Sequence, residues 1–177
     1  MDIKEIENKL LTGNEKYVKF VNENLEEKNL HNSLIYSQKP YILIISCSDS
    51  RVIPEKIFSA NRGELFVIRT AGNVINEGEL ATVEYALEHL NIKYVLVMGH
   101  TGCGAVHATL HNESGKYLSP IIKRIKKNIS GIDDEVLASE INAKKESEFL
   151  KKLFEDKKDV HFTYGLYDLV TNICKIY

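Results

Sequence analysis

The sequence predicts an α/β protein: a central, mainly parallel sheet of four strands with an antiparallel edge strand, flanked by helices. Three observations carry this reading. Short apolar runs at Tyr41–Ser46, Leu65–Ile68 and Tyr94–Met98 have strand length and the unbroken apolar character of strands buried on both faces. Between the second and third runs, Leu80, Val83, Leu87 and Leu90 recur at helical spacing, so a crossover helix spans Glu79 to Leu90. Neither an internal repeat nor a low-complexity linker divides the 177 residues, which read as one domain with an amino-terminal helical arm at about residues 1–30.

The arm is helical in pattern from Ile3 to Leu25, with a break expected at Gly13-Asn14: Ile3, Ile6 and Leu10 share one face, and Tyr17, Val21 and Leu25 another. Residues 26–39 are polar and read as a connection, with His31 on the surface. Pro40 stands where a strand begins. After the first strand, Pro54 opens a short helix to Phe58, and Ala71-Gly72-Asn73 makes a turn behind the second strand. Ser119-Pro120 reads as a cap and first helical turn for a helix ending at Asn128, with Gly131 as its stop. A longer helix spans about Asp134 to Phe154, Val160–Tyr164 is a fourth strand, and Asn172–Tyr177 supplies the fifth. Thr171-Asn172 turns the chain between those last two, because Asn tolerates left-handed backbone angles.

A formal charge of −2 gives no electrostatic case for nucleic acid or anionic lipid. No run is long enough to span a bilayer, and Met1-Asp-Ile-Lys-Glu5 does not open a signal peptide. Three cysteines, two of them drawn to a metal in the reading below, favour a reducing compartment over a disulfide framework. The expectation is a cytoplasmic protein.

Chemistry gathers where two strands end. The first runs into Cys47-Ser-Asp49-Ser-Arg51, and the third into Gly99-His100-Thr-Gly-Cys103-Gly104. Ligands lie at the carboxyl ends of strands in open α/β sheets, so both motifs belong to one site. Taken singly, a cysteine after an apolar strand is a core residue and a histidine closing a strand is as easily structural. Together, Cys47, His100 and Cys103 supply two thiolates and an imidazole, the three-ligand set that leaves the fourth tetrahedral position of zinc open for water, whose pKa the metal brings to about 7. A structural site would want four ligands, and the remaining cysteine, Cys174, lies near the carboxyl end. In an extended Cys-x-Asp-x-Arg stretch the side chains share one side, so Asp49 reaches the open position and Arg51 holds it ionised. Asp49 then either orients a water or, turned, ligates the metal itself. Gly102 and Gly104 let the backbone come close to a metal or oxyanion. His107 and His111 face one way on the following helix, away from the ligands.

These two motifs resemble the signatures of the β-class carbonic anhydrases, and Gly63-Glu-Leu-Phe-Val-Ile-Arg-Thr-Ala-Gly-Asn73 and Val83-Glu-Tyr-Ala86 between them resemble the same family, over about Leu10 to Ala108. A weaker echo stands at Tyr164-Gly-Leu-Tyr-Asp168. The resemblance implies one zinc per chain on Cys47, His100 and Cys103, an Asp49–Arg51 dyad, and reversible hydration of carbon dioxide to bicarbonate. It also implies a substrate pocket of the plant-like branch, with Gln38, Phe66 and Tyr85 at the matching positions and Gly104 beside them. Ile44 stands where the bicarbonate-regulated branch carries tryptophan, so no regulatory site of that kind is implied. Pockets of the family are completed across a two-fold, which implies a homodimer or higher even oligomer and places Tyr85 near that interface. Two other functions use the same residues: hydrolysis of carbonyl sulfide or carbon disulfide, and zinc storage or thiol redox sensing. The dyad and Gln38 argue against storage, which needs no oriented carboxylate.

Overall fold

The computed structural model describes residues 1–177, and they fall into two compact units, Met1–Gln38 and Lys39–Tyr177. The first unit is a helical pair, α1 (Ile3–Glu23) and α2 (Leu25–Leu34). Helix α1 runs through Gly13-Asn14 without the expected break. A single internal glycine costs only about 1 kcal/mol, and Asp2 and Glu5 close a reciprocal capping box at the start. The interruption falls instead at Asn24, whose side chain accepts from the Glu27 N–H and starts α2. Residues 26–34 are therefore helix where the sequence reading had a polar connection. Their lack of an apolar stripe hid a helix that is specified by its cap and by Glu26 and Glu27 in its first turn.

The second unit is a five-stranded sheet in the order β2-β1-β3-β4-β5, formed by β1 (Ile42–Cys47), β2 (Leu65–Thr70), β3 (Tyr94–His100), β4 (His161–Tyr167) and β5 (Cys174–Ile176). The first four strands are parallel and β5 is antiparallel to β4, as expected. Asn172 does take left-handed angles, at φ 59°, to make the final hairpin. Because β1 leaves to β2 on one side and lies against β3 on the other, chain order reverses between β1 and β3, and their carboxyl ends sit side by side.

Helices α3 (Pro54–Ile57), α4 (Glu77–Glu88), α5 (Gly104–Leu110), α6 (Ser119–Asn128) and α7 (Glu135–Leu153) complete the unit. In α6, Ser119 lies inside the first turn and Leu118 occupies the cap without a side-chain bond, so the expected serine cap is not made. One sheet face packs Leu43, Ile45, Val95 and Val97 against Val83 and Leu87 of α4 and Leu150 of α7. A second apolar cluster, holding Cys47, Cys103, Val106, Ile125 and Ala138, joins the strand ends to α5, α6 and α7. Helix α7 lies close on β3: a Cβ added to Gly99 would stand 2.7 Å from the Ser139 carbonyl oxygen. The opposite sheet face carries Ile44, Leu96 and Met98 and opens on an apolar hollow of about 410 Å³ lined partly by Tyr41, Phe58, Leu65 and Tyr94.

Candidate metal centre

Cys47 is the last residue of β1, His100 the last of β3, and Cys103 the residue that caps α5. The sheet order brings all three together. Their donor atoms lie within 4.8 Å of one another, the two Sγ atoms 4.0 Å apart, and all three residues are buried. The His100 Nδ1 lies 2.9 Å from the Thr101 carbonyl oxygen, an arrangement in which Nδ1 carries the proton and donates it. Nε2 is left as a buried lone pair with no hydrogen-bond partner. A buried polar nitrogen without a partner is costly unless something binds there.

The thiols titrate as a pair. The Cys103 thiol, helped by the backbone N–H groups of Asp49 and Gly72, stabilises a thiolate at Cys47 and lowers its pKa against the opposing effect of burial. Cys103 is pushed up, first by its bond to Cys47 and then by burial. The first proton leaves this pair easily and the second does not, so a cation that displaces both finds one ligand already charged. The donor set S, S, N, with its tautomer fixed from behind, fits zinc.

Beside it, Arg51 grips Asp49 in a two-pronged contact: Nε donates to Oδ1 at 2.9 Å and Nη2 to Oδ2 at 2.7 Å. The Arg51 backbone N–H also donates to Oδ1, at 2.9 Å. These bonds hold the Asp49 carboxyl well below the usual carboxylate range. The same Nη2 reaches the Gly102 carbonyl at 3.2 Å, tying the dyad to the turn that delivers Cys103.

The structure gathers five of the sequence-predicted residues here and separates others. Phe66 and Tyr85 form their own aromatic pair, with centroids 6.2 Å apart. Phe66 pairs with Leu43, whereas Cys47 pairs with Thr70, so four residues, about 13 Å of strand, divide Phe66 from the metal set within one chain. Gln38 closes the amino-terminal unit. Gly104 opens α5, and a Cβ there would meet no protein atom within 4 Å. His107 and His111 do face one way, stacked at 4.1 Å.

Two contributors carried no assigned role in the sequence. Arg69 sends Nε to the Cys47 carbonyl at 3.2 Å and Nη2 to the Asp49 carbonyl at 2.6 Å, bracing the backbone under the site. Its signal was a lone cation in an apolar strand. Thr101 accepts from the Leu169 N–H at 3.0 Å and fastens the chain after β4 to the turn after β3.

The carbonic anhydrase family model matches residues 42–162, which run from the start of β1 to the first residues of β4 and include Cys47, Asp49, Arg51, His100 and Cys103. The chain belongs to the carbonic anhydrase family. Carbonic anhydrase 2 of Mycobacterium tuberculosis H37Rv is 38% identical over 122 residues, covering 66% of this chain and 59% of that protein. The carbonic anhydrase of Helicobacter pylori J99 is 42% identical over 112 residues, 57% of this chain and 50% of that one. The matched stretch thus spans between half and three-fifths of the length of these relatives. Among solved structures, the β-carbonic anhydrase CcaA superposes with a TM-score of 0.83 at 29% identity, over 98% of this chain and 88% of that one. A tetrameric β-carbonic anhydrase of Sordaria macrospora shares the fold at a TM-score of 0.82 and 22% identity, over 98% and 96% of the two chains. The parallel sheet with one antiparallel edge strand is that of the β-class carbonic anhydrases.

Proposed function

We propose that the protein catalyses reversible hydration of carbon dioxide to bicarbonate and a proton, with one zinc ion per chain held by Cys47, His100 and Cys103. The observation that carries this reading is the set of three convergent donors beside a carboxylate locked in its ionised form. Zinc bound there would supply a Lewis acid that brings the pKa of a water to about 7, making a nucleophile available at neutral pH.

The chain's own residues then have distinct work. Asp49 accepts a hydrogen bond from the reacting water and turns its lone pair toward the substrate; Arg51, held by that carboxylate, keeps it from swinging onto the metal. His100 presents Nε2 to the metal because Nδ1 is committed to the Thr101 carbonyl. Gln38 donates to a substrate oxygen as charge grows on it, and Phe66 and Tyr85 shape an apolar recess of the plant-like kind. The distance along β2 between Phe66 and the metal set supports a pocket completed by a second copy of the chain. A homodimer or higher even oligomer is also supported by the apolar side chains the amino-terminal helices expose, Leu10, Leu11 and Phe20 among them. No helix is long and apolar enough to cross a membrane. Three free thiols support a reducing, cytoplasmic setting.

Stopped-flow hydration of carbon dioxide from pH 6.5 to 9, with zinc measured on the same sample, tests the reading. Activity rising toward alkaline pH is expected. A fully zinc-loaded protein with no hydration above buffer would overturn it and direct the assay to carbonyl sulfide and carbon disulfide. Cys103→Ala is expected to lose the zinc, and a full complement in that variant would remove Cys103 from the ligand set.

A further inference from the structure

A chain of buried and half-buried polar groups leads from helices α6 and α7 to the metal centre. It starts at Glu146, a fully buried carboxylate on α7 that takes no part in the proposed chemistry. Arg124 of α6 donates to it from Nε at 2.6 Å and from Nη2 at 3.0 Å, and Asn128 Nδ2 donates to the same carboxylate at 2.7 Å. Asn128 Nδ2 also donates to Asn142 Oδ1 at 2.9 Å. With its oxygen occupied, the fully buried Asn142 turns its amide N–H outward and donates to the Gly72 carbonyl at 2.9 Å. Gly72 in turn directs its own backbone N–H at Cys47 Sγ, 3.4 Å away.

The last residue of this chain is held in an uncommon shape. Gly72 sits at φ 64°, and Asn73 beside it at φ 49°. Two successive residues in the left-handed region are uncommon, and contacts from α6 and α7 brace the turn that aims the Gly72 N–H at the sulfur. A side chain at Gly72 would strike Ile125 Cδ1 at 2.8 Å, so α6 packs directly on the turn from behind. The carbonyl is caught by Asn142, which holds the peptide that follows Gly72 while Ile125 closes the space beside it, so both sides of the residue are braced.

We propose that Asn142 is a positioning residue for the metal centre: it sets the Gly72 N–H to Cys47 Sγ bond, and through it how much electron density that thiolate gives the metal. Glu146, with Arg124 and Asn128, fixes which way the Asn142 amide faces. An N–H donor on a ligating sulfur draws charge from it, so losing that donor makes the thiolate a stronger donor to the metal and leaves the ligand less firmly placed. The inference rests on the proposed zinc set at Cys47, His100 and Cys103.

Asn142→Leu keeps the volume and removes the amide, while Asn128 stays anchored to Glu146. Loading the protein with cobalt in place of zinc gives a thiolate-to-metal charge-transfer band that reports on sulfur donation directly. The variant is expected to show this band moved to longer wavelength and its affinity for zinc, measured against a chelator, lowered about 10–100-fold. The comparison is Leu150→Ala, which truncates another fully buried α7 residue and lowers stability without touching the polar chain. Its band and zinc affinity are expected to match the parent protein. Band and affinity unchanged in Asn142→Leu, or shifted equally in Leu150→Ala, would overturn the inference. If Asn142→Leu does not fold, Asn142→Ser is read by the same two measurements and the same criteria. A parent protein that binds neither cobalt nor zinc through its thiolates would instead refute the metal set itself, an outcome seen before any variant is compared.

Discussion

Replacing Gly99 by alanine tests how closely α7 is applied to the strand that delivers His100. The added Cβ would stand 2.7 Å from the Ser139 carbonyl oxygen and 3.3 Å from Ala143 Cβ, and ordinary contact begins near 3.4 Å. Relief therefore requires α7 to retreat by 0.7 Å at that point. The obstacle is backbone, so no rotamer change can provide it. A gap of that size forfeits about a quarter to a half of each dispersion contact along the seam, which includes Ala143 and Leu150. The cost belongs at the top of the about 1–3 kcal/mol range for overpacked cores. For a chain of this length that is a fall in Tm of about 6–12 °C. Urea unfolding at one fixed protein concentration reads it, since association would otherwise shift the midpoint. Gly78→Ala is the internal reference: nothing lies within 4 Å of a Cβ there, and the same substitution should stabilise α4 by about 0.4–1 kcal/mol. A loss below about 0.5 kcal/mol at Gly99 would refute the close-approach argument.

Three further outcomes follow from contacts already described. Arg124→Met strands the fully buried Glu146 carboxylate and should lower stability by about 3–5 kcal/mol in urea unfolding, while Arg124→Met with Glu146→Leu recovers most of the loss. Asp49→Asn keeps the Cys47, His100 and Cys103 donors, so zinc content by metal analysis should stay near one per chain. Carbon dioxide hydration should meanwhile fall by about 10²-fold or more, and near-normal turnover would remove Asp49 from the mechanism. Burial pushes the Cys174 thiol up to about 11, so its thiolate grows with pH throughout the range below that value. Peptide-resolved alkylation of Cys174 should quicken about a hundredfold from pH 8 to 10, against about fourfold for a thiol of ordinary pKa, and a fourfold rise would show the site to be open to water.

Much of this molecule can be read from its chain, for physical reasons that differ by element. The strands were legible because burial on both faces writes an unbroken apolar run, as in Tyr94–Met98. The convergence of Cys47, His100 and Cys103 was legible because soft and borderline donors at two strand ends have few other uses in combination. Helix α2 was not, since its cap is a single residue, Asn24, and its faces carry no contrast. The role of Arg69 was hidden because its partners are backbone carbonyls, which any sequence supplies. The Glu146 chain was hidden for another reason: Arg124, Asn142 and Gly72 are far apart along the polypeptide, and only the docking of α6 and α7 shows that they touch.

The adjacency of β1 and β3 also dictates when the centre can exist during folding. Cys47 and His100 are 53 positions apart in the chain, and β2 and α4 must be formed or bypassed before those two strand ends meet. An ion gripping both acts as a clip across that span, and a covalent link closing a loop of this size would remove about 4 kcal/mol of unfolded-chain entropy. Until the clip closes, the emerging polypeptide presents two uncommitted thiols to its surroundings. Under the proposed function, zinc supply and oxidant compete for the same sulfurs over the lifetime of the half-folded chain, so the yield of competent protein from a cell should depend on zinc at the moment of synthesis more than on zinc added afterwards.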